Sequence, residues 1–341
     1  MEKYVDAICF ELESYKRVVP ILVDTVFLGG GTPTLLGKER LKRLIEQIRN
    51  VFNVAPNAEF TVEMNPATAD KELLAFLREY GVNRISLGVQ SFSDAELQIL
   101  GRAHTAQQAI DAIQLIKEVG YEQFNLDLMY AIPGQTKESY LSSISKALTF
   151  SPTHLSLYSL ILEEGTEFWK CQNVLDFPDE SEEMDMYFGA AKLLIDSGFS
   201  HYEISNYAVG NQVCRHNMKY WQLSPYVGVG PAAHSFFEGV RYANKADLMQ
   251  YIQHPTAQKI LEEDTTRQIL AEEYVMLGLR TSRGISISRY CELSGKDLLS
   301  EKEYFIKNCL KEEYIMLKGD NLRLTETGFY LSTAIIGEFL A

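Results

Sequence analysis

Apolar positions along this chain repeat with two periods that alternate. Residues 24–28, 58–63, 84–89, 123–129 and 154–160 are short runs rich in β-branched and aromatic side chains, the signature of strands. Between most of them the period lengthens to that of an amphipathic helix, at 39–51, 71–79, 106–119 and 137–148. Strand, helix, strand repeated in this way gives right-handed crossovers and a mainly parallel sheet, open or closed into a barrel. The chain opens on a helical pattern at 3–17, with Tyr4, Ala7, Ile8, Leu12 and Tyr15 along one side. If every helix follows a strand, a first strand and its loop are missing.

Further on, 182–195 reads as a helix capped by Ser181, and 200–205 as a short strand. The stretch 206–237, rich in Gly, Asn and aromatic residues, reads as ordered loops closing one end of the sheet. Beyond about residue 242 the pattern is helical, at 245–252, 266–279, 286–293 and 300–310. A hairpin follows at 314–318 and 322–324, turning on Gly319, Asp320 and Asn321, and a closing helix starts at Thr325. The predicted division is an α/β barrel with its closing loops over 1–240 and a smaller, mainly helical, winged-helix-like domain over 241–341.

A length of 341 residues suits two domains. The net charge of −14 argues against nucleic acid as a partner, because a phosphate backbone would be repelled. No apolar run approaches the ~20 residues of a membrane helix, and the N-terminus lacks the apolar segment of a signal peptide. No membrane anchor is predicted, and the expected location is the cytoplasm. The five cysteines, Cys9, Cys171, Cys214, Cys291 and Cys309, form neither a disulfide framework nor a zinc spacing, which fits a reducing compartment.

Chemistry gathers at the strand ends. Gly29, Gly30 and Gly31 follow the apolar run at 26–28 and let the backbone approach a ligand, but the Gly-Lys-Ser/Thr ending of a Walker loop is absent. Period-two alternation places Thr61, Glu63 and Asn65 on one face, Ser86, Gly88 and Gln90 on another, and Asn125 with Asp127 on a third. Polar groups aimed into a barrel are costly unless hydrogen-bonded. Each could be a satisfied core polar group; together, at the C-terminal ends of three strands, they describe a site.

Six motifs occur in order: GGGTPT at 29–34, ExNP at 63–66, SxGxQSF at 86–92, LGRAH at 100–104, NxDLMY at 125–130 and HLSLYSL at 154–160. They resemble the radical S-adenosylmethionine (SAM) family around oxygen-independent coproporphyrinogen III oxidase, over nearly the whole chain. The resemblance implies an α/β fold: a partial radical-SAM-type (β/α)6 barrel missing its first strand, with the family's C-terminal helical domain. It implies that Gly30, Gly31 and Thr32 hold the amino-acid end of SAM and that Glu63 assists. Arg102 would pair with the carboxylate, and Gln90 and Asp127 would bind ribose hydroxyls. His104 and His154 read as structural.

One departure is clear. Members of the family that use SAM as a radical source carry Cys-x3-Cys-x2-Cys for a [4Fe–4S] cluster, and this sequence has no such triplet. Its nearest cysteines, Cys291 and Cys309, are 18 positions apart. A truncated sequence or mis-assigned start explains this most plainly, and a natural cluster-free paralogue is the other reading. The cluster is expected only if a missing N-terminal segment is restored, and no radical chemistry is expected of this chain without it.

The run from Cys214 to Trp221 contains HNxxYW, which resembles the haem-binding motif of the family's haem-chaperone branch. His216 is the expected haem-iron ligand, with Tyr220 and Trp221 flanking the porphyrin. Cys214 stays open as the ligand, and a buried His–Asn network is the structural alternative. The function implied is a chaperone that binds haem and delivers it to an apo-haemoprotein, with the SAM site in a supporting role. The alternative is oxidative decarboxylation of coproporphyrinogen III. The weakest is a nicotinamide-dependent enzyme. GxGxxAHS at 228–235 imitates a dinucleotide fingerprint, with Asp247 at a suggestive distance, but no strand precedes it and Pro231 sits at the supposed helix start.

Overall fold

A computed structural model describes residues 1–17, 20–256, 259–264 and 266–341. The strands β1 (Leu22–Leu28), β2 (Asn53–Met64), β3 (Arg84–Gln90), β4 (Gln123–Tyr130) and β5 (His154–Ser159) run parallel in sequence order. An antiparallel hairpin, β6 (Phe199–Glu203) and β7 (Asn206–Val209), closes the far edge in the order β5-β7-β6. The result is a seven-stranded sheet curled into a half-barrel, as the alternating periods predict.

Helices α1 (Glu2–Glu13), α2 (Lys38–Val51), α3 (Lys71–Glu79), α4 (Asp94–Ile99), α5 (Ala106–Val119) and α6 (Lys137–Leu148) flank the parallel strands. Apolar strand residues such as Phe60, Val62, Ile85, Leu87, Leu126 and Leu155 are buried against Leu41, Ile45, Leu74, Ile113 and Ile144 of these helices. Burying one such side chain contributes roughly 1.5–3 kcal/mol, so this outer layer holds the sheet's curvature. The helices start where the chain supplies caps: Thr105 and Gln108 form a capping box at α5, and Asp70 caps α3.

Helices α7 (Glu167–Lys170) and α8 (Glu180–Asp196) precede the hairpin. Asp179, not Ser181, caps α8; its carboxylate accepts the Glu182 N–H at 2.8 Å while Glu182 reaches back to the Asp179 N–H at 2.9 Å. A carboxylate two residues earlier in a capping box outcompetes the hydroxyl, leaving Ser181 in the first turn. The 206–237 stretch is more regular than loops: it contains β7, the short helix α9 (Arg215–Trp221) and β8 (His234–Phe237). Pairing with β5, β6 and the strand that follows β8, and the burial of Tyr207 and Ala208, hold the strands, and polar contacts from β1 and β2 hold α9, so short-range apolar periodicity gave little sign of them.

The strand β8 pairs with β9 (Val240–Asn244), which pairs with β10 (Lys259–Asp264). Helix α10 (Leu248–Gln253) lies between β9 and β10 in sequence and packs on α1. The buried carboxylate of Glu11 on α1 accepts from the Gly230 N–H at 3.0 Å, Asn244 Nδ2 at 2.8 Å and the Tyr251 hydroxyl at 2.6 Å. This one side chain ties the first helix to the segment after α9.

A second core, from Ala271 to Phe339, gathers α11 (Arg267–Gly278), α12 (Ile287–Ser294), α13 (Leu298–Glu301), α14 (Glu303–Lys311), α15 (Glu326–Tyr330) and α16 (Ser332–Leu340). They surround a small sheet of β11 (Ile285–Ser286), β13 (Asn321–Leu324) and β12 (Ile315–Lys318). The helix expected at 300–310 is divided, because Lys302 leaves the helical region with φ −112°. Glu326 accepts from His201 Nδ1 at 2.9 Å and joins this core to the hairpin.

Candidate functional site

The inner face of the half-barrel carries a cavity of about 420 Å³. Its walls come from alternate positions: Glu63 on β2; Arg84, Ser86, Gly88 and Gln90 on β3; Asn125 and Asp127 on β4; His154, Ser156 and Tyr158 on β5. The neighbours in between point outward into the core, so one alternation builds both the core and the site. Six of the seven residues expected around SAM, namely Gly31, Thr32, Glu63, Gln90, Arg102 and Asp127, line this cavity, together with His216 and Tyr220. The seventh, Gly30, donates its N–H to Glu63 Oε2 at 3.1 Å.

The glycine turn is shaped for this. A Cβ on Gly29 would lie 2.8 Å from Glu63 Cδ, and Gly30 sits at φ +81°, a conformation that costs other residues. At the opposite lip the ladder between β3 and β4 slips after Leu87, and Gln90 adopts φ 67°. Despite that irregularity Gln90 lines the cavity on the face of Ser86 and Gly88.

Two carboxylates and two guanidinium groups set the electrostatics. Burial raises the Glu63 pKa, and the nearby Asp127 raises it further against the pull of the Gly30 and Gly31 N–H groups. Asp127 is raised by burial, and hydrogen bonds from Asn125 and Ser156 partly offset this. Burial lowers Arg102, and Asp127 acts in the opposite sense. Such a cavity can hold a ligand that carries both cationic and anionic groups, with hydroxyls for the remaining acceptors.

Beside it stands α9, a helix with no buried residue of its own. His216 stacks on Phe27 of β1 with ring centroids 5.2 Å apart, its Nδ1 shares a 2.9 Å hydrogen bond with Thr25 Oγ1, and its Nε2 shares one of 2.8 Å with the Tyr220 hydroxyl. Burial first, then the Lys219 cation, lowers the His216 pKa to about 4, while Asp24 acts in the opposite sense. The imidazole is therefore neutral at pH 7, the form that binds metals. His216 and Tyr220 also border a second cavity of about 700 Å³, walled largely by apolar residues of α1, β1, α2 and the segment before β8.

The other residues of the motif are placed differently. Cys214 is buried with Sγ 3.7 Å from Glu59 Oε1, and its thiol is pushed up to about 11 by burial. Trp221 lines neither cavity and has a buried indole N–H without a partner among the described residues.

A hydrogen-bonded chain joins the first cavity to α9. Asn125 Nδ2 donates to Ser86 Oγ at 2.8 Å and Asp127 Oδ1 at 2.6 Å. Its Oδ1 then faces His154 Nδ1 at 2.7 Å. Burial keeps His154 neutral, so these partners assign its proton to Nδ1 and leave Nε2 to accept from the Tyr202 hydroxyl at 2.7 Å. The Tyr202 oxygen accepts the Cys214 N–H at 3.2 Å. His104 also serves the framework, with Nε2 3.0 Å from the Val89 carbonyl.

Sequence reasoning missed Arg84, although it continues the period-two pattern of Ser86, Gly88 and Gln90, and it missed Ser156 and Tyr158 on β5, where no alternation was read. It also missed Thr25 and Glu59, which meet α9 from strands far away in sequence and left no local signal. The glycine run at 228–230 leads into β8 rather than a helix, and Asp247 caps α10 through the Gln250 N–H at 2.8 Å. No dinucleotide turn is formed there. The cavity beside Glu63 and the glycine turn fits SAM. The residues of this chain do not fit a [4Fe–4S] cluster: among the described residues no three His, Cys, Asp or Glu side chains gather to hold a metal ion.

Comparison with known proteins agrees in both halves. Residues 10–147 match the radical SAM superfamily, and residues 266–331 match the HemN C-terminal domain. The chain is 33% identical to the heme chaperone HemW of Lactococcus lactis, covering 100% of this chain and 90% of that protein. It is 35% identical to the heme chaperone HemW of Bacillus subtilis over 93% of this chain and 86% of that one. The mitochondrial radical S-adenosyl methionine domain-containing protein 1 of Danio rerio is 32% identical, over 93% of this chain and 75% of its own length. Among solved structures, coproporphyrinogen III oxidase (HemN) of Escherichia coli superposes with a TM-score of 0.82 over 99% of this chain and 82% of that one; at 21% identity this likeness concerns the fold.

Proposed function

The chain belongs to the radical SAM superfamily, in its HemW family, and from that premise we propose that it binds haem and passes it to an apo-haemoprotein. One observation carries the reading to particular residues. A neutral imidazole, His216, borders an apolar cavity of about 700 Å³. A neutral imidazole is a good haem-iron ligand, and an apolar wall suits a porphyrin face.

In this reading His216 offers Nε2 to the iron. Thr25 at Nδ1 fixes the ring's orientation and tautomer, the usual office of an outer hydrogen bond on a metal-binding histidine. Tyr220 covers Nε2 until haem arrives and must swing aside. The buried, protonated Cys214 thiol supports His216 over Cys214 as ligand.

SAM, when bound, brings a sulfonium and an amino-acid end. Glu63 and the Gly30–Thr32 turn would hold its ammonium, Arg102 its carboxylate, and Gln90 and Asp127 its ribose. No reaction step is assigned to it, because the residues of this chain do not fit the cluster. Oxidative decarboxylation of coproporphyrinogen III has only the fold likeness in its favour. No helix among the described residues is long and apolar enough to cross a membrane, and all five cysteines are free, which supports work in a reducing compartment.

The test is loading followed by delivery. The chain should take up about one equivalent of haem with a saturable Soret change and then yield it to apo-myoglobin, used as an acceptor probe. Absence of saturable uptake would overturn the proposal.

A further inference from the structure

Helix α9 carries His216 but lacks the means to hold its own first turn. Its N-cap residue is Cys214, which makes no side-chain capping bond, and none of its seven residues is buried. Such a helix leaves its first N–H groups without partners. Here three successive amides are nevertheless satisfied, all from outside. Tyr202 takes the Cys214 N–H at 3.2 Å. Glu59, on β2, takes the next two, with Oε2 on the Arg215 N–H and Oε1 on the His216 N–H, each at 2.9 Å. Glu59 is 4% exposed, so the amides and the carboxylate satisfy each other where water cannot.

The geometry points to Glu59 as the positioning residue of His216: a carboxylate from the sheet that caps α9 in place of a side chain of its own and so fixes where the imidazole stands. One of its two oxygens bonds the backbone of His216 itself. Thr25 then meets the ring from β1, and β1 is the strand that pairs with β2. Backbone and ring of one histidine are thus held by adjacent strands, and a shift at either would carry Nε2 away from the cavity. The inference rests on His216 as haem ligand for its consequence. The capping itself does not depend on haem.

The test therefore has a haem-free arm and a haem arm. In the first, hydrogen exchange of the Arg215 and His216 amides is followed by NMR in the chain without haem, in wild type, Glu59→Gln, Glu59→Ala and Glu59→Ala/Cys214→Ser. Glu59→Ala removes the acceptor of both amides, which should exchange at least about tenfold faster while the amides of β2 and β3 keep their protection. Glu59→Gln keeps one acceptor and should fall between. Serine at 214 supplies a cap from within the helix and should restore most of the protection at His216, which a merely destabilised fold would not show. In the second arm, haem affinity should fall about tenfold in Glu59→Ala and recover in the double variant.

If Glu59→Ala leaves the exchange of the Arg215 and His216 amides unchanged, or the serine fails to restore protection at His216, the positioning role is wrong. If the exchange rises and recovers while haem affinity is indifferent to all the variants and to His216→Ala, the capping stands and the haem assignment of His216 falls instead.

Discussion

The inner cavity and helix α9 lie side by side and share the side chains of His216 and Tyr220, yet different physics holds them in place. Most of the cavity's groups project from parallel strands whose opposite face is the main core, so moving one of them means moving the sheet, while Arg102 and the glycine turn reach it from loops. Helix α9 has no fully buried residue and is held by Glu59, by Tyr202, by the stacking of His216 on Phe27 and by an ion pair of 2.8 Å between Lys219 and Asp24. A site built on a sheet is fixed by packing. A site built on a short, half-buried helix is fixed largely by hydrogen bonds and charge, and those are adjustable. For a chaperone that must bind a ligand and then release it, the second construction has the greater use.

The largest effect expected in the cavity comes from its charges. Arg102→Ala or Asp127→Ala should weaken SAM binding roughly 10- to 100-fold by calorimetry, since a charge-assisted hydrogen bond contributes about 1.5–3 kcal/mol. Neither should change the Soret spectrum of the haem complex. If both ligands suffer equally, the two regions are one site and the comparison fails.

The same charges set a pH dependence. The pKa values of Glu63 and Asp127 are raised, so their negative charge exists only above those raised values and is lost as pH falls through them. Affinity for a cationic ligand should therefore begin to fall at a higher pH than exposed carboxylates would dictate, and Glu63→Gln should shift that acid limb. An acid limb at ordinary carboxylate pH in wild type would contradict the assigned environment.

For α9 the informative change is a gain. Tyr220→Phe removes the hydroxyl that covers Nε2 and should raise haem affinity or on-rate by about two- to fivefold, the worth of one ordinary hydrogen bond. A loss would mean that Tyr220 serves the bound haem rather than the empty helix. The smallest effect is expected at the Lys219–Asp24 pair, which is partly exposed. Asp24→Asn should lower haem affinity by about twofold at low salt, and the difference should vanish near 1 M, where the Debye length is ~3 Å.

The contrast between the regions also explains what the sequence reveals. Period-two alternation in β2, β3 and β4 exposed Glu63, Gln90 and Asp127 because strand geometry assigns faces from spacing alone. Carried one step back along β3, it would have added Arg84, and applied to β5 it would have found Ser156 and Tyr158. The helix patterns at 71–79, 106–119 and 137–148 coincide with α3, α5 and α6, since each has an apolar stripe and a capping residue nearby. Helix α9 carried no comparable sign. Its supports, Glu59 and Thr25, are more than 150 positions away, and only the closed sheet brings them to it. The same holds for Glu11, which reads as one polar position in an amphipathic helix and proves to be a buried acceptor for three donors.

The central claim is that His216 on α9 holds the haem, and a Soret titration of three proteins tests it most directly. Wild type and Cys214→Ala should bind about one equivalent with the same spectrum and affinity, whereas His216→Ala should lose at least tenfold in affinity and shift the band. Binding by His216→Ala that matches wild type, or its loss in Cys214→Ala alone, would contradict the account.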